Sequence, residues 1–155
     1  MTDDAPRDLH LDLPAAHSAG RMGRQVVRKF ALEHGIPEEE IDTLELVASE
    51  LLSNAVDHGG GGAALNEADL ESDVRMQVCF TIFPDRWELR VADQGGGDPE
   101  DVASYLDDQS LPDLEDERGR GFFLLVQMVD EVTVQHSEDG RGLEFFARKS
   151  TVPAD

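Results

Sequence analysis

Glu50 and Asn54 are a pair whose types and spacing could do chemistry. Four residues apart, they would project from one face of a helix about one turn from each other, and His58 continues the same line. A glutamate held within hydrogen-bond reach of a hydroxyl can take its proton. An asparagine carboxamide oxygen suits a hard divalent cation, and Mg²⁺ takes few protein ligands, keeping phosphates and waters for the rest of its octahedron. Asp93 opens an Asp-Gln-Gly-Gly-Gly run, where its carboxylate can accept hydrogen bonds from a purine amino group, while Gly95 and Gly97 let the backbone turn and leave room for a base. Gly119-Arg120-Gly121 precedes an apolar run beginning at Phe122, and open N–H groups at such a helix start favour an anion. Each residue also has a plainer reading. Glu50 can be a solvated helix residue, Asn54 a helix-end residue bonded to backbone, and His58 a partner for the helix dipole. Gly95 and Gly97 can mark no more than a tight turn, and Arg120 can be a solvated helix-start side chain.

The elements that would position these residues follow from hydrophobic periodicity. Leu9, Leu11 and Leu13 alternate with His10 and Asp12 as a short strand that Pro14 ends. Met22, Val26, Val27 and Phe30 fall at helical spacing between about Ser18 and His34, with Gly35 as a C-cap, and four basic residues decorate this helix. Pro37 followed by three glutamates opens a second helix, running through Ile41, Leu44, Val47, Leu51 and Ala55 to about His58. Residues 74–82 and 87–92 alternate as two antiparallel strands around Pro84-Asp85. Residues 98–118 hold nine acids and two prolines and read as a surface loop with one short turn around Val102 to Leu106. An apolar helix from Phe122 to Val129 and a hairpin around Asp139-Gly140 complete a βααββαββ order. The fold class expected is α/β, a two-layer sandwich whose mixed, mainly antiparallel sheet is covered on one face by three helices.

Composition narrows the function classes. At 155 residues the chain suits one domain, expected over 9–149 with loose termini at 1–8 and 150–155. Thirty-four acidic against 13 basic residues give a formal charge of −21, which argues against direct nucleic-acid or anionic-membrane binding. That acidity fits a high-salt host or a basic partner, and its spread along the whole chain favours the first. The lone Cys79 sits in an alternating segment as a buried thiol, and neither a secretory segment nor a long apolar span is present, so the expected location is cytoplasmic. The glycines at 59–62 match no Walker-type phosphate loop.

Taken together, E-L-L-S-N-A-V-D-H at 50–58, V-A-D-Q-G-G-G at 91–97, G-R-G-F-F-L-L at 119–125 and the Arg-rich first helix resemble the GHKL type of ATP-binding domain. The resemblance is closest to the small bacterial anti-sigma factor serine/threonine kinases of the RsbW type, and it covers nearly the whole chain. It implies ATP and Mg²⁺ as cofactors, with Asn54 as the metal ligand and Glu50 as the group that activates an acceptor hydroxyl. It further implies that Asp93 reads adenine beside Gly95 and Gly97, with Gly119, Gly121 and the backbone of Arg120 and Phe122 contacting phosphates near His58. Residues 98–118 would be the ATP lid. The implied partners are an anti-anti-sigma factor carrying the acceptor serine and a sigma factor, and relatives of this type commonly form homodimers. Gly142-Leu143 stands where many relatives have Gly-Thr, so one hydroxyl contact is missing. This departure leaves open a non-catalytic regulator that binds ATP and switches partners.

Overall fold

Alternating apolar residues build a sheet with one dry face. The computed structural model describes residues 5–60, 64–70, 73–107 and 117–151. Its strands are β1 (Arg7–Pro14), β2 (Arg75–Ile82), β3 (Arg86–Ala92), β4 (Glu131–His136) and β5 (Leu143–Ser150), in the spatial order β1-β2-β3-β5-β4. Every pairing among them is antiparallel, so the mainly antiparallel sheet contains no parallel pair among the described residues. Met76, Val78 and Phe80 on β2, Trp87, Leu89 and Val91 on β3, and Leu143, Phe145 and Ala147 on β5 all point into the core. Trp87 lies at the centre, fully buried beside Phe80 with ring centroids 6.1 Å apart.

The opposite face is polar and stitched by ion pairs across strands. Arg75 meets Asp12 at 3.1 Å, Arg90 meets Glu144 at 3.2 Å, and Arg148 meets Glu131 at 3.3 Å. The Arg90 guanidinium also lies 4.5 Å from the Phe146 ring centroid. Cys79, expected to be buried, is on this polar side and only partly covered, because its strand position alternates with Val78 and Phe80.

The helices are α1 (His17–Glu33), α2 (Glu38–His58), α3 (Pro99–Asp107) and α4 (Glu117–Met128). Helix α1 packs on α2 and β1 through small residues, burying Ala19, Gly20, Gly23 and Ala31 with Val27. Met22, expected on the apolar face, is instead 52% exposed, since the close approach admits small side chains rather than a thioether. Gly35 adopts φ 89° just past α1, as a helix-terminating glycine does.

Helix α3 corrects the expected loop. The segment from Pro99 to Asp107 is helical over nine residues because Val102 and Leu106, four apart, bury one side of it while Glu100 and Asp101 occupy its first turn. Among the described residues this makes four α-helices where three were expected. The remainder of the expected lid, residues 108–116, lies outside the described residues.

Candidate functional site

Helices α2 and α4 pack together, and the groove between them opens into a cavity of about 460 Å³. From α2 it takes Glu50, Ser53, Asn54, Asp57 and His58, and from α4 Arg120, Gly121, Phe122, Leu124 and Leu125. The i, i+4 spacing of Glu50, Asn54 and His58 therefore does what helical geometry demands, presenting all three to one space. Leu51, Leu52 and Ala55, on the other side of the same turns, are buried in the core and fix the orientation of the polar stripe.

Glu50 is half-buried, and that loss of solvent raises its carboxyl pKa above the ordinary value. Gly121 makes the arrangement fit. A Cβ at that position would stand 2.5 Å from Glu50 Oε2, so any larger residue on α4 must displace the carboxylate. Asn54 is 8% exposed, a buried carboxamide at the cavity wall. His58 closes the helix at the exposed end, next to the Gly59 C-cap.

Ser53 and Asp57, neither of them a predicted site residue, join the lining. Asp57 Oδ1 is 2.8 Å from His17 Nε2, a contact that ties the end of α2 to the start of α1. The His17 and Ser18 amides donate in turn to the carbonyls of Ala64 and Leu65, at 2.8 and 2.9 Å, pinning the segment that follows the glycines at 59–60. Forty residues separate His17 from Asp57, so only the helical stripe of α2 hinted at Asp57's position.

Asp93 lies just beyond the end of β3 and is 4% exposed. Its Oδ1 accepts from the amides of Gly95, at 3.0 Å, and Leu143, at 3.1 Å. Asp93 does not line the cavity between α2 and α4. It packs instead behind the end of α2, where a Cβ on Gly59 would come 2.6 Å from the Asp93 Cβ. Gly95 approaches the same helix end, and a Cβ there would fall 2.6 Å from the Gly59 Cα. Gly97 abuts the buried Leu143 side chain, and the positive φ of the run falls on Gly96, at 72°.

The two glycines of the α4 motif divide their work. Helix α4 begins at Glu117, so Gly119 belongs to the first turn, whose amides have no intrahelical acceptor, whereas Gly121 already lies within the ladder. Gly121, by lacking a Cβ, also leaves space to the Glu50 carboxylate. Phe122 is an anchor, 3% exposed and stacked on Phe145 at 5.5 Å with Tyr105 at 5.8 Å. Arg120 is exposed at the cavity wall.

Comparison with known proteins identifies the family. The profile of the histidine kinase-like ATPase domain matches residues 13–146. The serine-protein kinase RsbW of Bacillus pumilus is 32% identical over 132 residues, covering 82% of this chain and 77% of its own. RsbW of Bacillus subtilis is 28% identical over 133 residues, covering 83% and 78%. Among solved structures, the RsbU and RsbW domains of a Mycobacterium tuberculosis protein superpose with a TM-score of 0.60 at 20% identity, over 96% of this chain and 34% of that one. The SiaB–SiaC complex from Pseudomonas aeruginosa gives a TM-score of 0.60 at 14% identity, over 92% and 89%; identities this low speak for the fold alone. With its sheet, its polar α2 stripe and a family match that runs through all the site motifs, the chain belongs to the histidine kinase-like ATPase family.

Proposed function

We propose that the chain is an Mg-ATP-dependent protein serine kinase and anti-sigma factor of the cytoplasm. Its substrate is a small anti-anti-sigma protein, and once that antagonist is phosphorylated the kinase is left holding its sigma factor. The observation that carries this reading is the placement of Glu50 and Asn54 on one cavity wall, opposite the amino end of α4. Relatives over most of the chain carry the name serine-protein kinase.

The residues fit the groups this reading requires. Among the described residues no cluster of three His, Cys, Asp or Glu side chains could hold a metal by itself. A lone carboxamide such as Asn54 suits a cation that draws most of its ligands from phosphates and water, so Asn54 would hold Mg²⁺. Bound ATP supplies the phosphoryl group and Mg²⁺ its counter-charge. Glu50 receives the proton of the acceptor serine as the serine Oγ forms its bond to the terminal phosphorus and the bridging bond to ADP breaks. A carboxylate whose proton affinity is raised by burial is a better base for that role than a solvated one. The Gly119 amide, in the first turn of α4, would contact the phosphates, and Asp93, held by the Gly95 and Leu143 amides, would accept from the purine amino group. A homodimer is the assembly proposed for the regulator.

The test uses the purified full chain, labelled ATP with Mg²⁺, and a small antagonist protein carrying an acceptor serine. Phosphate should appear on that serine, and Glu50→Ala should abolish transfer while nucleotide binding persists. Nucleotide binding without transfer by the wild-type chain would instead identify a non-catalytic partner switch. The buried Leu143 side chain, where many relatives carry a hydroxyl, is the feature that favours that second reading.

A further inference from the structure

The cavity between α2 and α4 has two carboxylates and one arginine in its walls, a poor balance for a polyanion in a chain of net charge −21. Each carboxylate has its own neighbour. Asp57 turns Oδ1 to His17 Nε2 at 2.8 Å. Glu50 is half-buried against Gly121, and burial raises its pKa above the ordinary value. Burial is the cause of that rise, and Glu50 makes no ion pair with any described residue. Arg120 is therefore not spent on Glu50, although both line the same space, and it makes no ion pair with any described residue.

Position indicates which part of a nucleotide an uncommitted guanidinium would meet. Gly121 abuts the Glu50 carboxylate, and Arg120, its neighbour in α4, lines the same cavity as that proton acceptor. In the reading of Glu50 given above, on which this inference rests, that cavity receives the terminal phosphate. We propose that Arg120 is the residue by which this site distinguishes a nucleoside triphosphate from a diphosphate, its guanidinium contacting the terminal phosphoryl oxygens. A planar fork of donors matches those oxygens, and charge that grows on them during transfer is met by a cation already in place. His58 is the other basic side chain of the lining, and Arg120 is the one guanidinium among the described lining residues.

The inference is tested by isothermal titration of the full chain with ATP and with ADP, each with Mg²⁺, for wild type, Arg120→Gln and Arg120→Lys. Loss of one charge-assisted phosphate contact should weaken ATP binding by about ten- to a hundredfold in Arg120→Gln. ADP binding by the same variant should stay within about threefold of wild type, which also shows that the cavity remains folded. Arg120→Lys should recover part of the preference, since it restores charge without the fork. An unchanged ATP-to-ADP ratio in Arg120→Gln would overturn the role of Arg120 while leaving the kinase reading intact. Equal loss of both nucleotides would overturn it too, by making Arg120 a general binding residue. Failure of the wild-type chain to bind either nucleotide would instead overturn the nucleotide reading of the cavity, and this inference with it.

Discussion

Glu50 and Gly121 act as one unit, because the glycine has no Cβ where the carboxylate oxygen sits. Gly121→Ala offers a sharp separation of fold from function. The clash falls on the far end of a flexible side chain, so Glu50 can swing aside, and alanine gains about 1 kcal/mol over glycine within a helix. The variant should therefore melt at or above the wild-type temperature while its phosphoryl transfer falls by about a hundredfold, as a misplacement of the order of 1 Å does; thermal melts and a transfer assay on one preparation compare the two. Glu50 itself carries a stability cost. Burial raises its pKa in the folded state, so between the unfolded and folded values the native chain binds more protons than the unfolded one, and stability falls as pH rises through that interval. Glu50→Gln should accordingly be more stable than wild type at neutral pH, with the difference closing as pH drops below the ordinary glutamate value. Denaturant titrations at several pH values would show this, and a gap that widened toward acid would contradict it.

At the scale of elements, the site depends on how the carboxyl end of α2 seats against the turn after β3. Backbone meets backbone there, at Gly59 and Gly95, and neither chain can yield as a side chain would. Gly95→Ala should cost about 1–3 kcal/mol by overpacking and should weaken nucleotide binding as well, since Asp93 and the end of α2 move together; urea midpoints and a nucleotide titration measure the two effects. The polar stripe of α2 was legible in the sequence because it needs only one helix and its 3.6-residue period. The strands were legible for the same reason, each showing period-two alternation. Helix α3 was obscured by its acids, although Val102, Tyr105 and Leu106 carried the i, i+3, i+4 signal within a segment otherwise poor in large apolar groups. The true work of Gly121 and the His17–Asp57 contact could not be read, since each depends on two helices distant in sequence meeting at one point. Asp93 illustrates a partial reading: its place at a strand end was legible, whereas its hold on the Leu143 amide, fifty residues away, is a product of the β3–β5 pairing.

The whole molecule carries a charge of −21, and its distribution is uneven. Arginines are gathered on the open sheet face, where Arg75, Arg90 and Arg148 each pair with an acid, while α1 bears Arg21, Arg24, Arg28 and Lys29. The excess of acids repels itself, and that repulsion opposes compaction until it is screened. Raising NaCl from about 0.05 M to about 1 M should therefore lift the thermal midpoint by at least a few degrees, a shift that scanning calorimetry resolves. A midpoint that fell with salt would mean that the cross-strand ion pairs outweigh the general repulsion. The buried Trp87 has a practical consequence for such measurements. It is the chain's sole tryptophan, sealed between the sheet and the helices and packed beside Phe80. Its emission should thus be blue-shifted in the native state and move to the red in a single step as the core opens, giving the protein a built-in optical gauge of its own folding.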